Sequence, residues 1–433
     1  MNISKKINSS FIFLASIMLA SSALPKLYAA EPWEKIKAEE EFKALNLKES
    51  IEVPVLDGKR WRLANRQPDL GPELNTGKQN GCDFSVWQAK DGTWQLVSCI
   101  RHTKEIGATR LFARWEGKSL TDTDWKEKGV FSRWNPELNE GRGHLQAPHT
   151  LLIDGKYQMF YNSGGRVYQK SSDDGKVFTQ VLGKSKPNIT DGIGRDVCLV
   201  DVNGLWHLYA CGDHRGVKCR TSKDLIEWSD AKAVAPGTES PFVFKHKDYY
   251  FLYGAVSSNN RGGIYFSRDP LDFGGPHSVQ NIVHRMFNED DFPGKPIGAE
   301  FIEHEGQEYV VWFNTPNTEK GFELGFEISK IKWVKKTPEE ILKWKIENYP
   351  KYRFPTPVEE KWKEICKKSY KTYIKELEAL KEKRGEMSKD EYDQATNKFE
   401  TERAKSSREI DEIWGKMIDD ERIELNKEAT NET

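Results

Sequence analysis

The chain has 433 residues, a formal net charge of −1 and six cysteines. Aromatic residues make up 12 % of it, with 14 Trp, which excludes a disordered chain. The near-zero charge excludes a nucleic-acid binder, which needs a basic face against phosphates.

The N-terminus reads as an address. Lys5 and Lys6 precede an apolar run over 11–24, and small residues follow up to Ala29 and Ala30. This pattern predicts a secretory signal peptide over 1–29, too short for an ordinary membrane-spanning helix. A secreted or periplasmic location is therefore expected, with no membrane span once the signal is removed. Loss of Lys5, Lys6 and Lys26 takes the charge from −1 to −4. Residues 30–77 are read as a short N-terminal helix and a lead-in segment.

Residues 78–336 carry β-branched and aromatic runs broken by Gly, Asn and Asp. One pattern recurs five times: a short apolar strand, a turn, then an aromatic-rich strand. It begins at Asp83 (DFSVWQAKDGTWQLVSC), Ala147 (APHTLLIDGKYQMFYNSG), Asp196 (DVCLVDVNGLWHLYACG), Glu239 (ESPFVFKHKDYYFLYGA) and Ala299 (AEFIEHEGQEYVVWFN). The DG and NG turns are strong hairpin signals. The starts lie 64, 49, 43 and 60 residues apart, the period of a propeller blade. Aligning each start 10 or 11 residues before Trp94, Tyr157, Trp206, Tyr249 and Tyr309 gives five units. The fold class expected is therefore all-β, a five-bladed β-propeller. A phrase of the form S-x-D follows several hairpins. The version over 171–178, SSDDGKVF, matches the Asp-box of sialidase-like enzymes, but those need six blades, so the phrase is read as an outer turn.

From residue 337 the character changes. Residues 337–433 hold 21 Lys and Arg and 24 Asp and Glu. Thr337 with Glu340, Thr356 with Glu359 and Ser388 with Glu391 have the capping-box spacing. Apolar residues Val358, Trp362, Ile365, Tyr370, Tyr373, Leu377 and Leu380 recur mostly three or four apart, and Tyr392, Phe399, Ile410, Trp414 and Met417 continue the pattern more sparsely. A charged C-terminal helical hairpin is expected, available for self-association. Across the chain, Cys82 with Cys99, and Cys198 with Cys211, could face each other over hairpins as disulfides or as buried thiols. No zinc-ligand spacing occurs.

Inner-strand starts converge on a propeller's axis. Three of the five aligned starts, Asp83, Asp196 and Glu239, are carboxylates. Acids crowded at one mouth repel one another and split their pKa values, as general acid–base chemistry on a glycosidic bond requires.

These residues resemble glycoside hydrolase family 43, in the clan with families 32, 62, 68 and 117. Ala147-Pro148-His149 before LLIDGKYQMFY looks like the family's second-blade WAPD segment. Arg195-Asp196 resembles its third-blade Asp-Pro motif, and Glu239-Ser240-Pro241 is similar to its EGP segment. The chain departs from the family at Phe84, Gln146, His149 and Val197. The resemblance implies a secreted hydrolase of plant or algal oligo- or polysaccharide. By the family's roles Asp83 is the base, Asp196 orients and tunes the acid, and Glu239 is the acid. Inversion is favoured; in a family-32-like enzyme Asp83 would instead be the nucleophile. Some relatives use histidine as the acid, which directs attention to His102, His149 and His214.

His149, Arg195, Trp87, Glu300 and Arg101 are the candidate substrate contacts; His149 reads equally as a structural histidine, Trp87 reads better as a blade-packing residue, Glu300 points into either the blade or the mouth, and the two arginines read otherwise as surface residues. No cofactor is called for; the resemblance leaves open a structural calcium on the axis near a histidine, as in some family members, though no acidic calcium loop supports it. A competing reading is a non-catalytic propeller that binds carbohydrate or protein, with the helical tail for assembly.

Overall fold

The computed structural model describes residues 32–44, 49–184, 186–190, 192–212, 216–235, 238–256, 261–274, 281–283, 297–313, 324–341, 343, 356–383 and 387–431. The expected signal peptide and His214 lie outside the described residues. Two compact units form: Met1–Asn46 with Leu342–Thr433, and Leu47–Ile341.

The larger unit is a five-bladed β-propeller of four-stranded antiparallel sheets. The first four blades are continuous in sequence. Blade 1 comprises β2 (Asn80–Gln88), β3 (Trp94–Arg101), β4 (Leu111–Gly117) and β5 (Lys126–Ser132). Blade 2 comprises β6 (Gln146–Ile153), β7 (Lys156–Ser163), β8 (Arg166–Ser172) and β9 (Thr179–Val181). Blade 3 comprises β10 (Arg195–Val202), β11 (Leu205–Cys211), β12 (Val217–Ser222) and β13 (Lys232–Ala235). Blade 4 comprises β14 (Thr238–His246), β15 (Tyr249–Val256), β16 (Arg261–Ser267) and β17 (Asn281–Val283).

Blade 5 departs from the expected boundaries. Its inner strands are β18 (Ile297–His304), β19 (Gln307–Phe313) and β20 (Gly325–Lys336), but its outer strand is β1 (Ile51–Asn65). Residues read as a lead-in therefore close the ring, pairing from Ile51↔Lys336 to Asn65↔Gly325. The physical reason is the exposed edge that β20 would otherwise present. Ile51, Val53, Leu63 and Ala64 of β1 are buried.

The hairpin turns work as their sequences require. Asp154-Gly155 and Asn203-Gly204 both adopt positive φ, at 49° and 76° and at 56° and 81°, as two-residue turns between twisted strands demand. Aromatic side chains fill the seams between blades. Phe84 meets Phe326 edge-on at 5.2 Å, Phe112 meets Tyr161 at 5.7 Å, and Phe244 stacks on Phe301 at 4.0 Å. The S-x-D phrase forms the outer turn of blade 2: the Asp174 carboxylate accepts from the Lys176 and Val177 amides at 2.7 and 2.9 Å.

Lys176 of that turn reaches into blade 1, with its Nζ 2.5 Å from Asp91 and 2.9 Å from Glu116. Burial pushes the Glu116 carboxyl up, but Lys176, Lys128 and Gln95 outweigh it and hold it at about 2. A carboxyl depressed on folding stabilises above its unfolded pKa of about 4.3, and that stability is lost as pH falls toward 2. Lys176→Met is expected to lower Tm at pH 7 by about 2–4 °C. It should also flatten the acid limb of the Tm–pH curve between about pH 4 and 2; an unchanged limb would contradict this.

All six cysteines are free thiols. Cys82 and Cys99 are direct cross-strand neighbours. Cys198 stands opposite Tyr209, while Cys211 stands opposite Arg195, so the second expected pairing has the wrong register.

The smaller unit contains α1 (Pro32–Ala44), α2 (Pro357–Glu382) and α3 (Lys389–Asn431). The hairpin of α2 and α3 is zipped by stacked pairs, Trp362 with Trp414 and Tyr373 with Phe399. Ser388 and Glu391 exchange amide contacts as a capping box, whereas Glu359 turns to Arg422 at 3.4 Å. Arg422 is 4 % exposed, ion-paired to Glu34 of α1 at 3.2 Å and set over the Trp33 ring, which recruits the N-terminal helix to the hairpin. Among the described residues no helix is long and apolar enough to cross a membrane.

Candidate active site

Each inner strand starts with a bulge at the same place. The register jumps between Gln146 and His149, Arg195 and Cys198, Glu239 and Phe242, and Ile297 and Glu300. In β2 it jumps between Cys82 and Phe84. At the bend Ala147, Asp196, Ser240 and Gly298 hold φ of 46°, 60°, 51° and 59°. A non-glycine residue held there costs about 1–3 kcal/mol, and such strain gathers at functional sites.

The equivalent positions are therefore Asp83, Ala147, Asp196, Ser240 and Gly298. This corrects the aligned starts in two blades: Glu239 stands one residue before the bend, and Ala299 one after. The proline at Pro148 and Pro241 suits the bend, since the next strand hydrogen bond falls beyond it.

Two of the carboxylates have described surroundings. Asp196 is 7 % exposed. Its Oδ2 accepts from Ser240 Oγ at 3.4 Å and lies 3.3 Å from Arg195 Nε. Blade 3's acid is thus tied to the first turn of blade 4, next to Glu239. Asn162 is fully buried and clamps the bulge, donating to the Gly194 carbonyl at 3.0 Å and accepting from the Val197 amide at 3.2 Å. Asp83 is half-buried and reaches toward blade 5. A Cβ on Gly298 would sit 3.7 Å from Asp83 Oδ1 and 2.8 Å from the Phe313 ring, so this bend admits only glycine. Glu239 pairs with Ala255 through the backbone of β14. Its side chain lies outside the described residues.

Two positions past each bend stand Ser85, His149, Cys198, Phe242 and Glu300, which form a ring around the axis. Four of them hydrogen-bond to the neighbouring blade's inner strand. Ser85 Oγ accepts from the Thr150 amide at 2.9 Å, and His149 Nε2 donates to the Leu199 carbonyl at 3.3 Å. Cys198 Sγ accepts from the Val243 amide at 3.3 Å, and Glu300 Oε2 from the Val86 amide at 3.2 Å. Phe242 packs on Phe301 instead, with ring centres 6.0 Å apart. Across the ring His149 Nδ1 and Glu300 Oε1 are 4.0 Å apart. Burial raises the Glu300 pKa, partly offset by His149 and the Val86 amide. Both were expected to contact sugar. They face one another inside the axis, at 4 % and 8 % exposure, because the bulge turns this position toward the next blade.

No protein-family model matches the chain, and no curated protein matches it. Among solved structures it is similar to a thermostable family-43 glycoside hydrolase, at 18 % identity over 60 % of this chain and 92 % of that one, with a TM-score of 0.44. The arabinanase Arb43A of Bacillus subtilis matches at 13 % identity over 59 % and 95 %, also with a TM-score of 0.44. CoXyl43, a β-xylosidase/α-arabinofuranosidase from a compost metagenome in complex with xylotriose, matches at 14 % over 66 % and 96 %, with a TM-score of 0.41. The fold rests on the five sheets themselves, and the site on its own residues.

The other candidates separate. Arg195 is half-exposed beside Asp196. Trp87 is 7 % exposed; its Nε1 donates to the Gly175 carbonyl at 2.9 Å and its ring meets Phe178 edge-on. It packs blade 1 on the outer turn of blade 2, the favoured reading of this residue, and does not serve as a sugar platform. Arg101 ends β3 at the mouth, where its Nη2 donates to Asn80 at 3.2 Å. His102 is exposed on the following loop. A cleft of about 490 Å3 adjoins the bend of blade 3, lined among others by Gly165, Arg166, Lys186 and Gly194. Among the described residues no group of His, Cys, Asp and Glu could hold a metal.

Three residues escaped the sequence reading. Ser240 and Gly298 occupy the bends of blades 4 and 5. Arg66, just past β1, lies under the mouth at 4 % exposure.

Proposed function

We propose that the chain is an exported glycoside hydrolase that cleaves plant or algal oligo- or polysaccharide with inversion. Asp83 takes a proton from water as that water attacks the anomeric carbon. Glu239 gives a proton to the departing glycosidic oxygen. Asp196, held between Arg195 and Ser240, orients the acid and keeps its proton available.

One observation carries this reading: Asp83 and Asp196 occupy the same bend of two inner strands, each turned toward a neighbouring strand start. A fold has no stability reason to hold two acids at equivalent positions of one mouth, one of them at the strained φ of Asp196. Family resemblance in the blade-2, blade-3 and blade-4 segments supports the same roles.

The test is a panel of plant and algal glycans with the full chain, scoring new reducing ends and the anomer first released. Product of inverted configuration is the expected result. Retained configuration would make Asp83 a nucleophile. Binding without turnover across the panel would leave a non-catalytic glycan-binding propeller.

A further inference from the structure

Two arginines crowd the mouth between blades 5 and 1. Arg66 is 4 % exposed, and its Nε and Nη1 have no hydrogen-bond partner. Its guanidinium lies 5.1 Å from the centre of the Phe313 ring, the ring that the bend at Gly298 abuts beside Asp83. Arg101 is held by Asn80, yet its Nε is also buried without a partner. Burial and the nearby Arg101 lower the Arg66 pKa to about 10. Buried guanidinium groups are normally paired with a carboxylate or phosphate, and an unpaired one is costly. Both guanidinium groups lie within electrostatic reach of Cys82, the residue next to the proposed base.

We propose that Arg66 and Arg101 form a subsite for an anionic group on the sugar, a carboxylate or a sulfate ester, so that the substrate class is acidic glycan. Guanidinium forks suit both groups, presenting paired N–H donors to two oxygens. This inference rests on the hydrolase reading for its placement beside Asp83, but binding alone tests it.

The experiment titrates the full-length protein with three oligosaccharides of equal length: an oligogalacturonide, a sulfated galactan fragment and neutral xylotriose, at fixed ionic strength. One charged sugar is expected to bind about tenfold tighter than xylotriose or better, and which one wins distinguishes carboxylate from sulfate. In Arg66→Met and Arg101→Met that preference should vanish, while the Tm of the ligand-free Arg66→Met protein should equal or exceed that of the wild type, because an uncompensated buried charge has gone. Arg101→Lys serves if a methionine variant fails to fold, with partial loss expected. Equal affinity for xylotriose in the wild type would overturn the proposal. So would a charge preference that survives both variants, or inorganic chloride and sulfate producing the whole effect. Tight binding of a charged glycan that is never cleaved would overturn the hydrolase reading and leave this subsite standing.

Discussion

Asp83→Asn and Glu239→Gln are each expected to lower kcat on a natural glycan by about a thousandfold, within the range of general acid–base catalysis. Tm should stay near the wild-type value, since each substitution is isosteric and removes only a charge. The two variants should then diverge. A substrate with an activated aryloxy leaving group departs without a proton, so Glu239→Gln should regain most of its rate on it. Asp83→Asn should not, because the water still needs its base. Loss of the alkaline limb of the pH–rate profile should accompany Glu239→Gln alone. Near-full activity of either variant on unactivated glycan would remove that residue from the mechanism.

The second large effect concerns the ring's closure. Removing residues 1–66 takes away β1 and leaves β20 as a bare edge carrying buried Phe326, Ile328 and Ile331. Ile51, Val53 and Leu63 would lose burial of roughly 1.5–3 kcal/mol each, a sum comparable to a whole domain's net stability. This truncation is expected to abolish the propeller's cooperative unfolding transition or to aggregate. Removing only residues 1–46 should leave that transition in place. The milder Leu63→Ala should cost about 2–5 kcal/mol in denaturant unfolding. A stable, cooperatively melting propeller lacking β1 would show that the fifth blade closes without it.

Blade number was legible because hairpin chemistry is local. Asp154-Gly155 and Asn203-Gly204 announce their turns, and aromatic residues follow them at fixed distance. Register was less legible, for a specific reason. Pairing makes Tyr250 and Glu308, opposite Lys245 and Glu303, the counterparts of Tyr157 and Trp206. Counting from the adjacent Tyr249 and Tyr309 moved both starts by one residue, and along a strand one residue is the opposite face. The count therefore hides Ser240 and Gly298 and sets Glu239 level with Asp196, although it stands one residue before the bend.

Closure was hidden because β1 pairs with a strand about 270 residues away, from Ile51↔Lys336 to Asn65↔Gly325, and long-range pairing leaves no local mark. Arg66 was invisible with it. His149 and Glu300 could be picked out as polar residues near the axis. Only the bulge decides that they turn toward each other.

The most direct test is the separation of the Asp83 and Glu239 carboxyl groups in a crystal structure with an oligosaccharide bound. The expected result is one shared cavity, with the two groups about 6.5–9.5 Å apart and the scissile oxygen beside Glu239. A Glu239 carboxylate buried within its blade, away from both the sugar and Asp83, would contradict the account.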